Sequence, residues 1–290
     1  MNDLRLKELK KLLDGLYLGF DFESRIKNDP VKFVKTYKEP ADIEVAGLVA
    51  SALAYGGVST ILKDLAKIFK VLGNSPAEFA DNKVLKEKSR LDGFYHRFNN
   101  SDDLLTLLWS AGQIRKKYGS LNALFLKGYK KKKSSDDRPE NSMEKGIEHF
   151  SSVFLSLAES SPFKNKKKFS FFFPRPSGGS ACKRLCLFLR WMVREDRVDP
   201  GGWKGVNKSD LIIPVDTHIV RITSHFALTG RKDSSWKTAL EITENLKKIC
   251  PEDPIKYDFV LCHTGISGDC PQKTNKEKCS KCNFYRICLL

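Results

Sequence analysis

Apolar residues recur at three- and four-residue steps along most of the chain. In VSTILKDLAKIFKVLG, residues Val58, Ile61, Leu62, Leu65, Ile68, Phe69 and Leu72 share one helical face, and Gly73 stands where a helix end favours glycine. The same rhythm runs from Asp102 through Ile114, with Leu104, Leu105, Leu108 and Trp109 together. It returns from Ile147 to Leu157 with Phe150, Val153 and Phe154, and from Trp236 to Ile249 with Leu240 and Leu246. No alternating pattern competes, so the spacing predicts an all-α chain. Two lysine-rich segments, 127–142 and 164–170, lack apolar periodicity and read as loops, either solvated surface or a phosphate-contacting patch. There is no internal repeat.

Composition sharpens this picture. At 290 residues, with 41% hydrophobic and 30% charged positions, the chain can bury a real core and is long enough for two domains. No apolar run approaches the roughly 18 residues of a membrane span, and the N-terminus carries acidic residues without a small-residue cleavage site. A cytoplasmic protein without a membrane partner is expected. Lys plus Arg number 51 against 35 Asp plus Glu, a formal net charge of +16, which favours a polyanionic partner.

The most concentrated chemistry lies at the C-terminus, where CPQKTNKEKCSKCNFYRIC places Cys270, Cys279, Cys282 and Cys288 within nineteen positions. In a reducing compartment such a cluster points to a metal site rather than to disulfides. Four thiolates suit either zinc or a four-iron, four-sulfur (4Fe-4S) cluster, and the single C-x-x-C differs from the paired knuckles usual for structural zinc. Cys182, Cys186, Cys250 and Cys262 fall on apolar faces of predicted helices and read as small buried hydrophobes.

The C-x2-C-x5-C tail, with one cysteine before it after YDFVLCHTGISGDC, resembles the cluster loop of the endonuclease III branch of the helix-hairpin-helix DNA glycosylases, with a first gap two residues longer. PVDTHIVRI, 214–222, is similar to the segment that bears the catalytic aspartate in that superfamily. On its own residues, Asp216 directly precedes a helix-like stretch and reads as an N-cap. PRPSGGSACKRLCLFLRWMVR, 174–194, resembles the hairpin turn and second helix, with Gly178, Gly179 and Ser180 in the turn and Lys183 matching the nucleophilic lysine of bifunctional members. The adjacent glycines and the interval of 33 between Lys183 and Asp216 are closer to the archaeal 8-oxoguanine glycosylase branch, which suggests a bacterial branch related to both.

The resemblance implies a two-lobed helix-hairpin-helix glycosylase-like fold. Residues 40–195 would form a helical lobe with the hairpin, and 1–39 with 205–290 a second lobe with the metal-cluster loop. It implies DNA as partner, a monomer, a nucleoid-associated location in a bacterium, and base excision repair with AP lyase chemistry. Lys183 would attack the sugar and Asp216 would assist base departure, while Cys270, Cys279, Cys282 and Cys288 would hold the 4Fe-4S cluster. A nucleophilic lysine must be partly neutral, so its pKa would be depressed by burial and a helix dipole. The turn amides near Gly179 and the basic residues Lys273, Lys276, Lys278, Lys281 and Arg286 would meet phosphates. Base extrusion calls for a stacking aromatic, with Trp191, Trp203 and Phe173 as candidates. Two other readings stay open: a non-catalytic nucleic-acid-binding protein whose four-cysteine cluster is structural or redox-sensing, and a zinc-stabilised interaction module.

Overall fold

The computed structural model describes residues 3–130, 142–166 and 168–289. Most of the lysine-rich segment 127–142 lies outside these, as does Lys167 within 164–170. The described chain is predominantly helical, as the periodicity predicts. It begins with α1 (Asp3–Leu18), α2 (Phe22–Lys27), α3 (Val31–Val34), α4 (Pro40–Ala52), α5 (Val58–Leu72) and the short α6 (Pro76–Glu78). After a small antiparallel hairpin pairing Tyr95–His96 with Asn99–Asn100 come α7 (Ser101–Tyr118), α8 (Leu121–Tyr129) and α9 (Ser142–Ser160). The remainder contains α10 (Lys183–Val193), α11 (Thr217–His225), α12 (Trp236–Lys247), α13 (Asp258–Ile266) and α14 (Lys276–Ser280).

Local chemistry explains the boundaries. Gly73 ends α5 at φ 65, a conformation that strains residues with a Cβ. Asn100 and Asp103 form a reciprocal capping box that starts α7, satisfying two backbone amides that would otherwise lack partners. The hairpin ahead of this cap was not legible, because two residues per strand are too few for an alternating pattern. Between α9 and α10 the described residues make two short 3-10 turns, Phe169–Phe172 and Pro176–Gly178, and the second of these, three residues long, leads into the Gly178–Gly179 turn.

The core centres on α4, buried from Asp42 to Ala52 and apolar at most of those positions. α10 packs on it closely: a Cβ at Gly47 would stand 2.7 Å from Cε of Met192 and 3.4 Å from the Phe188 ring. A side chain at position 47 would require the flexible end of Met192 to shift, so the two helices meet closely here. At the other end of the chain, α1 is tied to the C-terminal segment. Asp14 accepts from the Tyr257 hydroxyl at 2.7 Å and from Lys256 at 2.8 Å, and Arg5 donates to the Ile287 carbonyl at 2.8 Å.

Behind α10 lies a buried ion network. Arg190, 3% exposed, donates to Asp199 at 3.1 Å and pairs with Asp258 of α13. Arg194 adds Asp253 at 3.1 Å, Asp196 at 2.8 Å and the same Asp199. Opposite charges this deeply buried are tolerated because each is paired and hydrogen-bonded. The network locks α10 to α13, and therefore fixes the direction from which Lys183 enters the neighbouring cleft.

Candidate functional site

Lys183 and Asp216 are 33 positions apart in sequence, yet Nζ of Lys183 lies 2.6 Å from Oδ2 of Asp216. Asp216 caps α11: its other oxygen accepts from the backbone N–H groups of His218 and Ile219, each at 2.9 Å. Capping and charge pairing are thus compatible in this residue, since the two oxygens divide the work. Lys183 is the first residue of α10, and it follows Cys182, which is held at φ 49. A left-handed cysteine is uncommon; here it lets the chain leave the Gly178–Gly179 turn and begin the helix within four residues.

The pair faces a cleft of about 330 Å³ that is also lined by Tyr55, Gly56, His218, Phe259 and Cys262. Burial is the largest single effect and works to lower the pKa of the Lys183 ammonium. The charge and hydrogen bond of Asp216, with smaller contributions from Cys262 and Asp258, together outweigh it, so the lysine lies above its ordinary value. The depression expected for a nucleophilic lysine is therefore absent in the resting arrangement. Asp216 moves the opposite way: burial raises it, and attraction to Lys183 brings it below the usual carboxylate range. Together they form a stable ion pair with the proton on nitrogen. Cys262, read from sequence only as a buried hydrophobe, borders the cleft and is pushed well up by burial and by Asp216.

The turn differs from expectation in its amides. Gly178 N–H donates to the Arg175 carbonyl at 3.1 Å and Gly179 N–H to that of Pro176 at 2.8 Å, so neither is free for a phosphate. Ser180 serves locally too, its hydroxyl accepting from Cys182 N–H at 3.2 Å, while the Gly179 carbonyl accepts from Trp236 N–H at 3.0 Å. The first turn of α10, just beyond, has no side-chain cap to take up its backbone N–H groups. The aromatic candidates are corrected as well. Trp191, Trp203 and Phe173 are 0%, 5% and 2% exposed and belong to the core; an apolar ring within a helical run is recognisable from sequence, but its outward or inward direction is not.

Cys270, Cys282 and Cys288 border a second cavity of about 470 Å³, together with Phe226, Lys278 and Lys281. The Cys270 thiol is pushed up to about 11, chiefly by burial, with Arg221 opposing and the thiols of Cys288, Cys282 and Cys279 close enough to add to it. Its sulfur lies 3.5 Å from Nδ1 of His225, and Cys279 sulfur accepts from Asn275 N–H at 3.4 Å. Four soft thiols at or near one cavity form a donor set suited to zinc or iron and sulfur. Among the described residues, no three His, Cys, Asp or Glu side chains are already gathered closely enough to hold a metal ion.

Lys273, Lys276, Lys281 and Arg286 are all exposed on this tail. Lys278 is committed to the Gly268 carbonyl at 2.8 Å, and Lys281 lies 4.0 Å from Glu277, a solvent-exposed pair of small energetic weight. α11 connects the two regions: Asp216 is at its start, and Arg221, one turn further, donates to the Cys270 carbonyl at 3.0 Å. His218 was missed in sequence. It stands two residues after Asp216, borders the cleft, and its buried Nδ1 has no hydrogen-bond partner among the described residues.

A family model described as "Protein of unknown function (DUF2400)" matches residues 29–267. That span contains Lys183, Asp216 and the cleft, and ends three residues before Cys270. No curated protein and no solved structure matches the chain.

Proposed function

The chain belongs to the family described as a protein of unknown function (DUF2400), and from that premise we propose that it is a DNA base excision glycosylase with AP lyase activity. The observation that carries this reading is the contact of 2.6 Å between Lys183 and Asp216 inside a cleft. A carboxylate and an amine side by side are what glycosidic cleavage followed by imine formation requires. As the base departs, positive charge develops on the sugar, and the buried Asp216 carboxylate stabilises it. For nucleophilic attack, the Lys183 proton passes to Asp216, leaving a neutral amine that bonds to the sugar carbon. The departing base keeps the electron pair of the glycosidic bond and takes up a proton. The amine, after losing its second proton, forms the imine as the ring C–O bond of the sugar opens, whereas on an abasic aldehyde the same imine forms with loss of one water. Loss of a proton from the neighbouring sugar carbon then expels the 3′ phosphate oxygen in the elimination.

The raised pKa of Lys183 and the lowered pKa of Asp216 make this transfer uphill in the resting pair, so the bound sugar must weaken the pair before the amine attacks. What holds the ammonium is Asp216, and the developing sugar cation competes for that same carboxylate. Cys270, Cys279, Cys282 and Cys288 would hold a 4Fe-4S cluster, with zinc as the alternative. Bound there, the metal would cross-link a tail in which Phe284 and Ile287 are the buried apolar side chains among the described residues from 271 onward. The formal charge of +16 and the exposed Lys273, Lys276, Lys281 and Arg286 support DNA as the partner.

The test is borohydride trapping on DNA with an abasic site, which bypasses the identity of the excised base. A covalent adduct with the wild type, absent from Lys183→Ala, is expected. Tight binding without an adduct on abasic or lesion-bearing DNA would favour the non-catalytic binding protein instead.

A further inference from the structure

Among the described residues, two exposed aromatic side chains lie together beside the cleft. Phe98 and Phe171 are 49% and 39% exposed. They come from two distant segments, the small hairpin and the stretch before α10. Tyr55, which borders the Lys183 cleft, joins them: its ring is parallel to Phe98 at 6.1 Å and edge-on to Phe171 at 5.0 Å, while Phe98 and Phe171 meet at 5.6 Å. The Tyr55 hydroxyl is fixed by Asn99 at 2.6 Å, so this ring cannot swing away without losing a hydrogen bond.

Cationic groups accompany the rings. The exposed Arg97 lies over Phe98 at 5.4 Å, while the buried Arg184, which donates to the Ala52 and Phe171 carbonyls, lies against Phe171 at 4.0 Å and Tyr55 at 5.0 Å and holds those rings in place. The lysine-rich segment is attached to the same hairpin. Asn99 donates to the Lys168 carbonyl at 3.0 Å and Asn100 to that of Asn165 at 2.8 Å, which brings exposed Lys164 and Lys168 alongside. Exposed rings held rigidly, with guanidinium and ammonium groups beside them, form the arrangement that grips unpaired nucleotides: bases stack on the rings and phosphates meet the cations.

We infer that Phe98 and Phe171 form a stacking platform for an unpaired base of the DNA strand, next to the nucleotide whose sugar enters the Lys183 cleft. The inference rests on the nucleic-acid reading above and extends it to a place and a strand state. A protein partner fits less well, because the apolar patch is small and rimmed by cations.

The test uses single-stranded oligonucleotides containing 2-aminopurine beside an abasic site, with the full-length protein. Stacking quenches this fluorophore, so wild-type protein is expected to quench it, and Phe98→Leu and Phe171→Leu to relieve the quenching. Leucine keeps apolar contact with Tyr55, so folding is retained, while Phe98→Ala provides a stronger variant to be read with it. Affinity should fall roughly 5- to 150-fold per lost stack. Lys183 adducts trapped by wild type, with quenching absent or unchanged by both variants, would overturn the platform and leave the glycosylase reading standing. Quenching that the variants relieve, without any adduct, supports the platform and removes the glycosylase chemistry. Absence of all oligonucleotide binding overturns both.

Discussion

At the residue scale, Lys183 and Asp216 carry the sharpest predictions. Lys183→Ala should abolish the trapped adduct while leaving thermal stability within about 0.5 kcal/mol to 1 kcal/mol, since its side chain is about one-third exposed and its partner keeps the capping contacts. The pH profile follows from the two shifts. Passing a proton from Lys183 to Asp216 changes no net charge, so the trapping rate should be flat from the lowered carboxylate to the raised ammonium. Loss to solvent would instead give about a tenfold rise per pH unit. Asp216→Asn removes the main attraction that raises Lys183 and leaves burial, which lowers it, opposed only by the weaker effects of Cys262 and Asp258. Adduct formation on abasic DNA should persist near neutral pH in this variant, whereas removal of an intact base should fall about 100-fold or more, the usual scale for losing one charge-stabilising group. Equal loss of both activities, measured side by side, would contradict this division of roles.

At the scale of elements, α10 is positioned from behind by its ion network. Replacing Arg190 with leucine strands the buried Asp258 without its cation and leaves the buried Asp199 with Arg194 alone. Urea unfolding should show a loss of about 3 to 5 kcal/mol, far more than for any exposed lysine of the chain. A double change of Arg190 and Asp258 to apolar residues should recover part of it. The C-terminal tail behaves differently, because α14 has no buried residue and Phe284, packed 4.7 Å from Phe226, anchors the chain beyond it. Cys282→Ala should therefore raise hydrogen exchange between residues 271 and 283 to near the unprotected rate while α4 and α10 remain protected. Iron and zinc content of wild-type protein, measured in the same preparation, decides which ion those thiols take.

On the scale of the whole molecule, the net charge of +16 predicts salt-sensitive association. Each neutralised phosphate should contribute a slope of about 0.7 to 0.9 in log affinity against log salt, and replacing Lys273, Lys276 and Lys281 together should reduce the slope by about 2 to 3. Fluorescence anisotropy across a salt series measures it; a slope unchanged by the triple replacement would move the contact surface away from the tail. No described helix is long and apolar enough to cross a membrane, consistent with the absence of long uncharged runs in the sequence.

What the sequence determined by itself was periodic or local. The helical character, the course of α5 and the cap role of Asp216 follow from spacing and neighbouring residues, which exert their effects within a turn or two. The tertiary structure decided what depends on distance and direction. Only folding brings Nζ of Lys183 to Asp216, and that proximity reverses the sign of the pKa shift that burial alone would give. Only packing separates buried Trp191, Trp203 and Phe173 from exposed Phe98 and Phe171, since all five are simply aromatic in a string of letters. His218 and Tyr55 were invisible for the same reason: a cleft is made by elements that meet across the chain, and their meeting is fixed by side-chain shape, such as the bare Cα of Gly47 beneath Met192.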